Sequence, residues 1–272
     1  MISECCPEPT VPAVNPSIDV SVPSSARIWN YWLGGKDNYE VDRIVGDQIA
    51  RGYPQVVRVA RYARAFLGRA VTFLAGEVGI RQFLDIGSGL PAADNVHEVA
   101  RRVAADCRVV YVDSDPMVLA QVRARLLDPA DPLLHGVEAD IARPEAVLSM
   151  ASEYLDLHRP VAVVLCNVLG HLPTLELASR VVRRLMAPLP AGSHLIVTDS
   201  TNVIDNAAAT AAISLWNETA SATYQLRSPA EIARLFDGLE LLEPGVVSCP
   251  HWRPQILTPD PIDEFCGVGR KN

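Results

Sequence analysis

Residues 83 to 91 read FLDIGSGLP, a short apolar run with an acid near its end and two glycines one residue apart. Such a run is a strand. Gly87 and Gly89 let the chain leave it in a sharp turn, because glycine tolerates left-handed backbone angles and places no Cβ between the backbone and a ligand above it. A strand that ends in this way and feeds a helix is the first unit of a parallel α/β sheet, and it commits the chain that follows to repeat the unit.

The downstream sequence does repeat it. Strands are predicted over 82–86, 108–112, 133–139, 160–167 and 194–198, and helices over 95–105, 116–127, 144–155 and 174–186. The second, fourth and fifth strands are continuously apolar rather than alternating, as expected of parallel strands covered by helices on both faces. With 272 residues, 49% of them hydrophobic, the chain can bury one main doubly wound domain with peripheral additions.

Those additions lie at both ends. Residues 1–25 are rich in Pro, Ser and Val without a stable period and read as a flexible or extended arm. Residues 26–78 read as an N-terminal helical cap. In it, Ser24 or Ser25 caps a short helix through Trp32, Gly34-Gly35 ends that helix, and a second helix covers 42–49. A longer helix follows Pro54, where Val56, Val59, Ala60, Ala63, Phe66 and Leu67 recur at three and four residues. The main domain spans 79–272 and contains a helical insertion over 203–236, with helices at 207–219 and 229–236, placed to act as a lid. Strands at 239–247 and 264–268 complete the sheet.

Several function classes lose support on composition and motif. The formal net charge is -8, with no long basic block to attract nucleic acid. The strongest apolar stretch, 161–170, is interrupted by Asn167 and is too short to span a bilayer. The opening residues lack the basic-then-apolar order of a signal peptide, so a cytoplasmic protein is expected. Six cysteines form no CxxC pair, and Cys249-Pro250-His251 has no second ligand pair, so no metal site is expected. A GxSxG elbow and a GKT or GKS phosphate loop are both missing from the sequence.

The glycine loop by itself fits two cofactors, since Gly87 to Ala92 also satisfies the relaxed GxGxxA dinucleotide pattern. Three acids favour S-adenosylmethionine. Asp85, just before the glycines, would repel a pyrophosphate but accept a hydrogen bond from an amino-acid moiety. Asp113 closes the second strand where ribose hydroxyls are held, although that feature is common to both cofactors, and Asp115 is left to cap the next helix. Asp140 follows the third strand and suits an adenine amino group, or else the cap of the helix near Pro144. A helix start near Ala92 would offer free N–H groups to polar atoms above it.

The segments SSARIWNYWLGGKDNYEVDR, QFLDIGSGLP, VVYVDSDPMVL, VEADIARPE, VLCNVLGHLP, HLIVTDST and LEPGVVSCPHWRP resemble class I S-adenosylmethionine-dependent methyltransferases. Within that class the chain is similar to the actinobacterial S-adenosyl methyltransferase family, over most of its length from about Ser24. The resemblance implies a seven-stranded, mostly parallel Rossmann-like sheet in the order 3-2-1-4-5-7-6, with strand seven antiparallel and the 203–236 insertion before strand six. It implies cofactor contacts from Asp85, Gly87, Ser88 and Gly89, from Asp113 with Ser114, from Asp140 with Ile141, and from Asn167 with Val168. Pro91 stands where many members of the class have a third glycine, which changes how closely the backbone can approach the ligand.

Methyl transfer asks for alignment and exclusion of water, and for a base only if the acceptor must lose a proton. His171, just past the fourth strand, is the expected base; the competing reading is a loop histidine that orients the turn before Pro173. Asp199 at the end of the fifth strand is the second catalytic candidate. Lys36 and Asp37 could pair with the carboxylate and ammonium of the donor. Trp29, Trp32, Tyr39 and Trp216 are expected to bind the acceptor, unless they only fasten their helices to the core. Closure by both regions predicts a small organic acceptor. Left open at this stage are a noncatalytic S-adenosylmethionine-binding protein, a macromolecule methyltransferase and a nicotinamide-dependent oxidoreductase.

Overall fold

The computed structural model describes residues 19–254 and 259–272. Most of the expected N-terminal arm, with Cys5 and Cys6, lies outside them. The first helices are α1 (Ser25–Trp32), α2 (Glu40–Gly52) and α3 (Val56–Phe73), the last followed by a π-helical turn at Leu74–Val78. Gly68 does not interrupt α3, because Phe66, Leu67, Ala70 and Val71 around it are buried and packing outweighs the local cost of one glycine. Ser24 does not cap α1 through its side chain; its hydroxyl turns toward Asp115 at 3.4 Å.

Five parallel strands follow, β1 (Gln82–Ile86), β2 (Arg108–Asp113), β3 (Leu134–Glu138), β4 (Ala162–Cys166) and β5 (His194–Ser200). Between them run α4 (Val96–Val103), α5 (Pro116–Arg125), α6 (Pro144–Ala151) and α7 (Leu175–Met186). Asp115 caps α5 by accepting from Met117 N at 2.8 Å, as expected. The helix after the glycine loop begins at Val96 rather than near Ala92. Asn95 and Glu98 close its N-terminus as a capping box, and the Asn95 side chain also takes the Ala92 N–H at 3.1 Å.

After β5 come α8 (Asn206–Thr219), α9 (Pro229–Arg234) and three strands, β6 (Glu240–Leu241), β7 (Val247–Ser248) and β8 (Glu264–Arg270). The sheet order is β3-β2-β1-β4-β5-β8-β6, with β7 also paired to β8. The expected order and antiparallel seventh strand are present, β8 running against β5. The strand count differs, because the expected strand at 239–247 is two short strands. Pro244 cannot donate to a ladder and Gly245 turns the chain at φ 86°, so β6 and β7 pair separately with opposite ends of β8.

Helices cover both sheet faces. Leu84, Val110, Val163 and Leu165 face α6, α7 and α9, whereas Phe83, Val109, Val164 and Ile196 face α3 and α4. A third cluster joins Ile28, Trp32, Ile49, Ala212 and Trp216, so α1 and α2 pack with α8 from the late insertion. Arg27 and Asp42 fasten α1 to α2 through a buried ion pair of 2.8 Å. Among the described residues, no helix is long and apolar enough to cross a membrane.

Candidate active site

A cavity of about 650 Å³ lies over the C-terminal ends of β1, β2, β4 and β5, where parallel α/β sheets place their ligands. The glycine loop forms one end of it, and α1, α3 and α8 enclose the other.

At the loop end, Gly87 and Gly89 have φ of 70° and 64°. A Cβ on Gly87 would stand 2.5 Å from Val168 Cγ2, so Val168 packs directly beneath the turn. The loop N–H groups are engaged: Gly87 N and Ser88 N donate to Val112 O at 2.8 and 3.3 Å, and Gly89 N donates to Asp113 Oδ2 at 3.0 Å. Asp113 Oδ1 accepts from Asp115 N at 3.0 Å. Each oxygen of Asp113 keeps a lone pair for a ribose hydroxyl. Burial raises the Asp113 carboxyl, opposed by these N–H donors.

Asp85 is 5% exposed on the cavity wall, and no described residue donates a hydrogen bond to its carboxyl. Burial pushes its pKa up to about 7, against the pull of Arg64. The buried hydroxyl of Ser88 also has no partner. This half-furnished pocket fits the amino-acid end of S-adenosylmethionine, whose ammonium can meet Asp85. It does not fit a pyrophosphate, since the loop N–H groups and the helix N-terminus are already occupied and an acid stands beside them. Ser114, Asp140 and Ile141 line the same wall, where Asp140 is exposed and accepts from Ala142 N at 2.8 Å.

At the other end, Asn167 sits at φ 55° and donates from Nδ2 to Thr198 Oγ1 at 3.0 Å. The 3-10 turn Leu169–His171 places His171 on the cavity wall. Its Nδ1 is 2.8 Å from Thr223 O, and a carbonyl can only accept, so Nδ1 carries the proton and Nε2 has the lone pair. Burial lowers the His171 pKa. The Tyr224 ring meets the imidazole edge-on at 5.2 Å. Gly170 leaves room for that ring, since a Cβ there would approach Tyr224 Cζ to 2.1 Å.

Other expected site residues stand elsewhere. Asp199 is fully buried behind the wall, ion-paired to Arg227 at 2.7 Å and bonded to the Tyr224 hydroxyl, so its charge is satisfied inside the fold. Lys36 is exposed and lines no part of the cavity. Asp37 pairs with Arg125 on α5. Tyr39, 42% exposed, caps α2 and carries the Arg27 guanidinium 5.2 Å from its ring centroid. The GGKDN stretch instead wraps Asn30, whose Oδ1 accepts from Asp37 N at 3.1 Å and Asn38 Nδ2 at 3.0 Å. Trp29, Trp32 and Trp216 do line the cavity.

Arg64, Tyr53, Tyr224 and Asp263 also line it and were not singled out in the sequence. Arg64 is one of several arginines on α3, and helical periodicity does not say which one meets a loop 20 residues away. Tyr224 lies in a segment between helices that has no period to read.

A parallel sheet with an antiparallel strand inserted beside β5, and a glycine turn with acids at the strand ends above it, defines a Rossmann-like methyltransferase. The chain belongs to the S-adenosyl methyltransferase family, whose sequence profile matches residues 12–272. Its cofactor is S-adenosylmethionine. It is similar to a solved DUF574 family protein from Streptomyces avermitilis, at 38% identity and TM-score 0.88, over 93% of this chain and 99% of that one. It is also similar to a candidate methyltransferase from Thermobifida fusca, at 40% identity and TM-score 0.87, over 94% and 97%. No curated protein sequence matches the chain.

Proposed function

We propose that this methyltransferase acts on a small organic acceptor enclosed between the strand ends, α1, α3 and α8. The observation that carries this reading is one continuous cavity running from the glycine loop to a lobe roofed by helices from both ends of the chain.

Bound S-adenosylmethionine supplies an electrophilic methyl carbon: the acceptor's lone pair forms the new bond, and the C–S electron pair leaves with the sulfur. Asp113 takes the ribose hydroxyls, Asp85 the ammonium, and Asp140 with Ile141 the adenine. Arg64 takes the carboxylate in place of Lys36, since it reaches the loop and bonds Ala93 O and Asn95 through Nε and Nη2. His171 Nε2 accepts a proton from the acceptor. Asp199 acts one layer back, holding Tyr224 and thereby the His171 ring. Residues 203–236 form the lid, fixed at its start where Asp263 accepts from Ile204 N and Asp205 N, and at its end by Arg227 on Asp199.

A labelled-methyl transfer screen against small metabolites, peptides and nucleic acid tests this reading. Incorporation into small compounds is expected; labelling of protein or nucleic acid alone would refute the enclosed acceptor.

A further inference from the structure

We propose that the acceptor is an uncharged molecule with a flat, apolar, ring-bearing body and one weakly acidic hydroxyl of phenol type directed at His171. This rests on the small-acceptor reading above and adds the chemical class.

The walls of the lobe supply the first argument. Trp29, Trp32, Tyr53, Val56, Ile213 and Trp216 line it. The polar atoms of Trp32, Trp216 and Tyr53 are turned into the protein. Trp32 Nε1 donates to Gly46 O at 3.2 Å and Trp216 Nε1 to Ala222 O at 2.9 Å. The Tyr53 hydroxyl is directed at Asp263 Oδ2, 3.5 Å away, and burial and the Asp263 charge hold that phenol far above its usual range. What Trp32, Tyr53 and Trp216, with Val56 and Ile213, present toward the lobe is aromatic and aliphatic surface. Trp32 lies 5.9 Å from both Trp29 and Trp216, tilted by 65° and 39°, so ring edges and faces are offered together, which suits a planar occupant.

Charge supplies the second argument. Asp263, the acid on this side of the cavity, already accepts from Thr201 Oγ1 at 3.0 Å, Ile204 N at 2.8 Å and Asp205 N at 2.7 Å. Arg64 and Asp85 stand at the glycine loop and belong to the cofactor end. A carboxylate on the acceptor would therefore be buried in the lobe without a cation, and an ammonium would have to displace those donors to reach Asp263, and both are costly. The third argument is the tautomer of His171. With Nδ1–H given to Thr223 O and the ring neutral, Nε2 is a hydrogen-bond acceptor and calls for a donor on the ligand. A hydroxyl provides the donor and, once its proton leaves, the nucleophile.

Calorimetry on the full chain saturated with S-adenosylhomocysteine tests the class, using 1-naphthol, 1-methoxynaphthalene, 1-naphthoate and 1-naphthylmethylammonium as probes. The expected result is that 1-naphthol binds about tenfold or more tighter than each of the other three. His171→Ala should erase the preference over the methoxy compound, while Trp29→Leu should weaken 1-naphthol and leave S-adenosylhomocysteine affinity unchanged. Tighter binding of either charged probe, or no heat from 1-naphthol when S-adenosylhomocysteine binds, overturns the proposed class and leaves the enclosed-acceptor reading to the transfer screen. Failure of S-adenosylhomocysteine itself to bind would instead strike the cofactor assignments beneath it.

Discussion

His171, on the cavity wall, and Thr223 are joined across 52 residues by a 2.8 Å contact between an imidazole nitrogen and a backbone carbonyl, and this contact selects which ring nitrogen keeps a lone pair. The same contact ties the turn after β4 to the segment between α8 and α9. Because burial lowers the pKa of His171, the base form persists below the usual histidine range. With an acceptor identified and S-adenosylmethionine saturating at every pH, so that the titration of Asp85 does not enter, kcat/KM for the acceptor should rise with pH along an acid limb below about 6.5 and then level off. His171→Ala should lower kcat by about a hundredfold and abolish that limb. A variant with the parent rate and profile would remove His171 from the chemistry.

The proposed contact of Asp85 with the donor's ammonium makes donor binding depend on pH in the neutral range. The Asp85 pKa of about 7 means that the carboxylate needed by an ammonium forms only as pH rises through that value. S-adenosylhomocysteine affinity, measured calorimetrically, should therefore increase from about pH 6 to about pH 8, by roughly up to tenfold per unit on the acid side. Asp85→Asn should bind more weakly with a flat profile.

Arg227 and Asp199 are each almost inaccessible, at 3% and 0% side-chain exposure. Arg227→Leu leaves a carboxylate buried without its guanidinium and should cost about 3–5 kcal/mol. Urea denaturation should show a lower midpoint with unchanged slope. The double variant Asp199→Leu/Arg227→Leu should recover part of the loss, because neither charge is then stranded.

Glu264 gives stability a dependence on pH. Burial raises its pKa from 4.5 to about 8, so the folded state holds a proton that the unfolded chain releases. Its contribution is fully present below pH 4.5 and is lost as pH rises through about 8. Glu264→Gln, which mimics the protonated carboxyl beside Ser200, should flatten the denaturation midpoint across that window. A midpoint whose pH dependence is unchanged would show that Glu264 is ionised in the fold.

The repeating part of the molecule was legible because its signals are local. The strand from Gln82 to Ile86, the turn glycines and Asp115 as a cap each follow from a few neighbouring residues, and the structure places them as read. The position of Asp113 at the end of β2, beside the glycine loop, was legible for the same reason. The assignments to Lys36, Asp37 and Tyr39 placed motif residues at the cavity from their neighbourhood alone. That neighbourhood proved to be a turn folded around Asn30. The helix start moved to Val96 because Asn95 has a side chain able to close it, a choice that the glycine spacing does not reveal.

What the sequence determined by itself was the sheet unit, its continuation and the acid-glycine cradle, since backbone preference and apolar period act within a few residues. Tertiary structure alone decided which cation reaches the loop, that Asp199 lies behind the wall, and that aromatics from both ends of the chain enclose one lobe. Those outcomes depend on contacts such as Trp32 with Trp216, separated by 184 positions, which form only when the sheet brings α1 and α8 together.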